Sequence, residues 1–236
     1  MGSRSLEQRA LLTDYDPTTA YSQAFYTLFA NIRFQWESEQ AILSQQVAET
    51  TPVHTLLVTS ASAYKDQPTV AANLAIVAAQ SGAETILVDA NLHSPGIGSR
   101  FGLSQTAGLG ELLETGDITL ETLERYLQPT FVPGLRVLGA GGASAQGTAL
   151  LLSSHLARVV TGLRNMLAAS HKSSGVVIFH STPVLSSVDA ALIGALTEQT
   201  VLTIIMGQTT RAQAKRAQEQ LQQAHISLGG VIMLHP

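Results

Sequence analysis

The sequence predicts a single α/β domain built on a doubly wound, mostly parallel sheet with helices on both faces. Three observations lead there. From His54 onward, short runs of Val, Ile and Leu alternate with helical stretches, the pattern of strands buried on both sides. One such run, Leu56 to Thr59, passes through a short loop into a helix with apolar periodicity. The length of 236 residues suits one domain of this kind.

The elements follow in order. Residues 1 to 16 form a polar lead-in. Ala20 to Trp36 spaces Ala24, Phe25, Leu28, Phe29, Ile32 and Trp36 along one helical face, with Thr18 or Thr19 after Pro17 as cap. Glu37 to Pro52 is polar and takes the helix end and a connection. Strand Thr55–Thr59 is followed by helix Thr69–Gln80, strand Thr85–Asp89 and an irregular Gly/Pro/Ser segment to Phe101. Leu109–Glu114 and Leu120–Tyr126 are short helical pieces, Leu135–Leu138 is a strand, and Gly139–Gly147 is a loop with four glycines. Helix Leu150–Ala169, strand Val176–Phe179, helix Val188–Leu196, strand Val201–Met206, helix Thr210–Ala224 and strand Gly229–Met233 complete the chain. A boundary is placed between a lead-in with its helix (1–52) and the α/β domain proper (53–236).

Composition excludes several classes. The chain has no Cys, hence no disulfide scaffold and no thiolate metal site. No apolar run approaches the ~20 residues of a membrane span, and no leader pattern is visible, so a cytoplasmic location without membrane insertion is expected. A formal charge of -4 gives no electrostatic footprint for nucleic acid. Charged residues make up 13%, about half of the ~25% usual in soluble domains. A surface so sparsely charged suits burial against a protein partner, including a second copy. The alternative is a surface made polar by Gln, Ser and Thr.

The chemistry is concentrated between Val58 and Ala75. Strand, loop and helix there have the frame of a phosphate-binding Walker A loop, Gly-x-x-x-x-Gly-Lys-Ser/Thr. Ser62 or Ala63 stands at the first glycine, Asp66 at the second, Gln67 at the lysine and Pro68 at the first hydroxyl; only Thr69 remains. Glycines let backbone N–H groups crowd around phosphate oxygens. Tyr64 and Asp66 obstruct that cradle, and Asp66 adds negative charge. Gln67 is neutral where a cation belongs. Pro68 is comfortable in a first helical turn but has no N–H for an anion.

Beyond the loop, the whole chain from about Pro17 to Met233 resembles the cytoplasmic domain of bacterial tyrosine autokinases of capsule and exopolysaccharide synthesis. These are ParA/MinD-like deviant P-loop ATPases. The residues that carry the resemblance are Gln23 to Phe34, Ile86-Leu87-Val88-Asp89-Ala90-Asn91-Leu92-His93-Ser94-Pro95, Gly108 to Leu113, Leu150 to Ser154, Thr182 to Ala190, Thr209-Thr210-Arg211 and Gly229 to Ile232. The resemblance implies a P-loop NTPase-like fold, ATP and Mg²⁺ as family ligands, and partners such as a second copy, an active relative or a membrane activator.

The departures from the family pattern fall on its functional positions. His180 replaces the Walker B acid, and a histidine is a poor partner for Mg²⁺, which prefers oxygen. Asn91 replaces the second Asp of the other acidic motif, leaving Asp89. Met233 stands where many relatives have Asn beside the adenine. Gln23, Tyr26 and Phe29 replace the charged pattern used in ring assembly. His180 and Met233 are therefore expected to line the former nucleotide cleft. Tyr26 and Phe29 are read either as partner anchors or as residues buried on the domain's own sheet.

The expected function is that of a pseudoenzyme: a regulatory or interaction partner with no catalytic residue and no cofactor. Asp89 is read as a remnant capping its loop, with a metal ligand as the weaker alternative. Lys65 is read as a solvated loop lysine and not as a substitute phosphate ligand. A hydrolase built on His180 and Ser181 lacks an oxyanion site and a nucleophile elbow. Gly139–Gly147 as a nucleotide loop rests only on its glycines. The alternative function is an active ATP-binding tyrosine kinase or ATPase with an unorthodox phosphate loop.

Overall fold

The computed structural model describes residues 11–43, 52–104, 107–170 and 174–235. Most of the lead-in and of the connection before Pro52 lies outside them. After a 3-10 turn (Leu12–Asp14), helix α1 (Ala20–Leu43) leads to β1 (Val53–Ser60), α2 (Gln67–Gln80) and β2 (Glu84–Asp89). Three short helices follow, α3 (Ile97–Phe101), α4 (Leu109–Thr115) and α5 (Leu120–Tyr126), then strands β3 (Leu127–Pro129) and β4 (Leu135–Leu138). The rest alternates: α6 (Gly147–Leu151), α7 (His155–Ala168), β5 (Gly175–His180), α8 (Asp189–Gly194), β6 (Gln199–Ile205), α9 (Arg211–Gln223) and β7 (Leu228–Leu234).

The seven strands form one sheet in the order β3-β4-β2-β5-β1-β6-β7. All neighbours are parallel except β3 and β4. Strand side chains alternate between the faces. Leu56, Val58, Leu87 and Ile178 pack under α1, α2 and α3. Leu57, Ile86, Val88, Val177 and Phe179 pack under α4 to α9. β1 and β5 are apolar on both faces for this reason, and no period-2 pattern marks them in the sequence.

Helix α1 buries Phe25, Phe29, Ile32 and Trp36 into the first of these layers. Phe29 is thus a core residue, not a partner anchor. Half-buried Tyr26 donates from its hydroxyl to Gln80 Oε1 at 2.7 Å. The Trp36 ring stacks on His54 with centroids 4.4 Å apart and planes 2° from parallel, fixing the far end of α1 against the start of β1.

The structure departs from the sequence reading at four elements. Helix α2 begins at Gln67, two residues early, because Pro68 is pre-shaped for a first turn. The segment read as irregular contains α3, five residues long and too short to show a period. The helix expected over Leu150–Ala169 is two helices. The Ser153 hydroxyl donates to the Leu150 carbonyl at 2.7 Å and interrupts the ladder there. Strand β3 has no signal in the sequence pattern; its three residues end in Pro129, which an edge strand tolerates.

Candidate functional site

The site lies at the C-terminal ends of β1, β2 and β5, where loops gather over an open parallel sheet. Register places the chemistry. His180 pairs with Val58 of β1 on one side and with Asp89 of β2 on the other. Adjacent registered positions on parallel strands point the same way, so His180 and Asp89 meet. His180 Nδ1 is 3.1 Å from Asp89 Oδ1, and both side chains are buried. A carboxylate only accepts, so Nδ1 carries the proton.

The rest of the Asp89 carboxylate is also engaged. Oδ2 accepts from the backbone N–H groups of Gly96 at 2.8 Å and Ile97 at 2.9 Å. Oδ1 also accepts from the Asn91 N–H at 3.3 Å. The Gly96 and Ile97 donors are otherwise unpaired groups at the start of α3. Asp89 therefore caps the loop after its strand, with every contact internal. Asn91 does the same for the next turn, its Oδ1 accepting from Ser94 N–H at 3.1 Å.

The loop from Ala61 to Asp66 is equally self-contained. Ala61 N–H donates to the Thr203 carbonyl at 3.0 Å, and the Ser60 hydroxyl donates to the Ser62 carbonyl at 2.9 Å. Ser62 Oγ lies 3.4 Å from Thr209 Oγ1. Gln67, at the lysine position, is buried and donates from Nε2 to the Ser181 carbonyl at 2.8 Å. Pro68 packs so closely on Gly96 that a Cβ there would fall 2.8 Å from the proline ring. Ala63, Lys65 and Asp66 are exposed.

Thr69 has a partner that the sequence did not disclose. The guanidinium of Arg100, buried beneath the loop, donates from Nε to Thr69 Oγ1 at 2.8 Å. Its Nη1 donates to the Gly96 carbonyl at 2.6 Å, and its Nη2 lies 3.4 Å from the Lys65 carbonyl. Arg100 thus joins the degenerate loop to the loop that Asp89 caps. Nothing in Gly-Ser-Arg-Phe marks this arginine; only the approach of α3 to α2 does.

Tyr64 turns inward. Burial pushes its phenol pKa well above the ordinary value, and the Thr203 hydroxyl it faces only partly opposes that rise. Its ring lines a cavity of about 510 Å³ together with Tyr15, Tyr21, Val70, Ile205 and Leu234. Lys65, Asp66 and Thr69 also border this space. Two residues expected to line the cleft sit elsewhere. His180 is wholly buried under the loops. Met233 is 64% exposed, because strand alternation turns its neighbour Leu234 to the cavity instead.

The glycine-rich stretch after β4 serves packing. Gly141 has φ +85°, and a Cβ there would fall 2.2 Å from Glu111 Oε2. That carboxylate accepts from Gly108 N–H at 2.7 Å at the start of α4. A second buried cluster escaped the sequence reading. Asp189 accepts from Thr148 Oγ1 at 2.7 Å and Thr182 Oγ1 at 3.3 Å, with His93 Nε2 at 3.0 Å. It joins the loop after β2 to α6 and α8.

These groups do not match what a magnesium-bound polyphosphate needs. The lysine position holds an amide bonded to a carbonyl, one helix-start donor is an imide, and the remaining acid is enclosed by donors. Among the described residues, no group of three His, Asp or Glu side chains is placed to hold a metal ion. No helix among them is long and apolar enough to cross a membrane.

Sheet order, helices on both faces and a loop–helix turn after β1 define the fold as that of a P-loop-NTPase-like α/β domain. Solved structures agree on the fold. The chimerical protein CapA2B2 superposes with a TM-score of 0.77 at 23% identity, over 95% of this chain and 88% of that one. The kinase domain of the Escherichia coli tyrosine kinase ETK gives 0.74 at 20% identity, over 100% and 82%. MinD of Pyrococcus horikoshii, solved with Mg-ADP, gives 0.60 at 18%, over 77% and 70%.

Within that fold the chain is similar in sequence to bacterial tyrosine-protein kinases. It is 29% identical to tyrosine-protein kinase YwqD of Bacillus subtilis over 232 residues, 98% of this chain and 87% of that protein. Tyrosine-protein kinase CpsD of Streptococcus agalactiae is 27% identical over 75% of this chain and 73% of its own length. The ptk kinase of Acinetobacter johnsonii is 29% identical over 70% of this chain, which spans only 21% of that longer protein. No protein-family model matches the chain.

Proposed function

We propose that this chain is a non-catalytic, tyrosine-kinase-like domain that acts by protein–protein interaction, as a regulatory partner in exopolysaccharide synthesis or export. One observation carries the reading: the polar groups at the ends of β1, β2 and β5 are largely bonded to one another, with His180 Nε2 left without a partner. Gln67 holds Ser181, Arg100 holds Thr69, and Asp89 is closed by Gly96, Ile97, Asn91 and His180. Phosphoryl transfer depends on positioning and on neutralising charge. A phosphate would have to break these bonds and would meet exposed Asp66. The cytoplasmic pathway assignment follows from the kinship to tyrosine kinases alone. The partners that fit are a second copy, an active relative or a membrane activator; neither nucleic acid nor direct membrane insertion is part of the reading.

Calorimetric titration with Mg-ATP, paired with a phosphate-release assay, tests it. No saturable heat and no turnover are expected; micromolar binding with turnover overturns the reading. A second reading, an active ATP-dependent kinase with an unorthodox loop, is favoured by one feature. The Arg100 guanidinium puts a buried cation beside Thr69. In that case Arg100→Met abolishes ATP binding that the wild type displays.

A further inference from the structure

The chain has five tyrosines, and their surroundings differ sharply. Tyr64 is half-buried, with its ring packed against the core. Tyr26 lies mid-helix with its hydroxyl bonded to Gln80. Tyr126 ends α5 and packs on the core. Tyr21 is 39% exposed but sits in the first turn of α1. Its ring lies between Tyr15 and Phe25, and its hydroxyl accepts from Asn73 Nδ2 at 3.0 Å.

Tyr15 is different. It is 41% exposed, with extended backbone at φ −107°, ψ 146°. Every residue from Thr13 to Thr18 is exposed, and Asp14 and Asp16 flank the ring. An enzyme acting on a tyrosine hydroxyl must hold several residues around it in open backbone. Helical tyrosines meet that need only by local unfolding; Tyr15 stands outside the α-helices, between the 3-10 turn Leu12–Asp14 and the start of α1, so opening that one turn suffices.

We infer that Tyr15 is a phosphoacceptor site, modified in trans by an ATP-dependent tyrosine-protein kinase. The inference deepens the proposed function and rests on it in one respect, that this chain does not supply the kinase activity. The Tyr15 phenol oxygen bonds to the γ-phosphorus of ATP. The bond from that phosphorus to the β,γ-bridging oxygen breaks, ADP leaves with its electron pair, and the phenol proton passes to the kinase's base. The product carries about −1.5 to −2 charge on a ring that lines the cavity shared with Lys65 and Asp66. The acidic flank on either side of Tyr15 suits a kinase with a basic substrate groove.

The test incubates the purified chain with Mg-ATP, alone and with a tyrosine-protein kinase such as YwqD in an amount that labels itself. Phosphate is then mapped by mass spectrometry. Label on Tyr15 only when the kinase is present, lost in Tyr15→Phe and kept in Tyr21→Phe, is the expected result. No label with the active kinase, or label that persists undiminished in Tyr15→Phe, overturns the inference. Label on Tyr15 without added kinase upholds the site and overturns the non-catalytic reading instead, so the two failures are distinct.

Discussion

The side chain of Gln67 crosses from the first turn of α2 to the end of β5, where its amide nitrogen donates to the buried Ser181 carbonyl at 2.8 Å. A residue at the position of a phosphate lysine is therefore a strut between two elements. Gln67→Leu removes the donor and leaves the carbonyl unsatisfied. A loss of about 1–3 kcal/mol is expected, read as a lower midpoint in urea unfolding. An unchanged midpoint means that the bond contributes nothing to stability.

Asp89 separates a structural role from a catalytic one. Asp89→Ala leaves the Gly96 and Ile97 N–H groups and His180 without their acceptor. Removing one partner from a buried charged network costs about 3–5 kcal/mol, so the variant is expected to unfold at much lower denaturant. Asp89→Asn keeps the shape and part of the bonding and falls in between. Were Asp89 only a metal ligand, both variants would keep wild-type stability.

Arg100 is expected to resist conservative replacement. Its planar fork reaches Thr69 and the carbonyls of Gly96 and Lys65 at once, which a single ammonium cannot do. Arg100→Lys should loosen the loop selectively. Amide hydrogen exchange is the check: faster exchange confined to the segment around residues 64–69 and 96–100 is expected, with the β5 core unchanged.

Tyr64 predicts alkaline sensitivity. Its folded-state pKa is raised, chiefly by burial. The stabilisation from keeping the phenol neutral is thus complete below the ordinary value of 10.0 and is lost as pH rises beyond it towards the folded value. Above pH 10 the unfolded chain releases this proton first, so stability falls. Tyr21, also raised mainly by burial, adds in the same direction. Unfolding free energies measured across this range should fall less steeply in Tyr64→Phe than in the wild type. Equal slopes would show that Tyr64 ionises alike in both states.

Sheet and helices were legible because burial on both faces forces continuous Val/Ile/Leu runs, and α1 because its apolar residues recur at helical spacing. Elements below one period were not: α3 and β3 are set by neighbours that arrive from elsewhere in the chain. In the site, the departures from the Walker A and Walker B patterns at Gln67, Pro68, Asp66 and His180 could be read by residue type alone. What these side chains bond to could not be read that way. The Arg100–Thr69 contact joins positions 31 residues apart, and Gln67–Ser181 joins positions 114 apart; neither spacing has a local signature. Met233 shows the same limit on a small scale, where one step of strand alternation decided whether a residue faced the cavity or solvent.

The amino-acid order by itself determined the alternation of strand and helix and the residue types around the altered loop, because apolar periodicity, proline geometry and side-chain charge are local properties. Only the tertiary structure decided which of the leftover polar groups bond to one another. Hydrogen-bond partners in a parallel sheet come from strands distant in the chain. Register alone brings His180 to Asp89, Arg100 lies over Thr69 because α3 packs on α2, and both arrangements exist only once the sheet has closed its order.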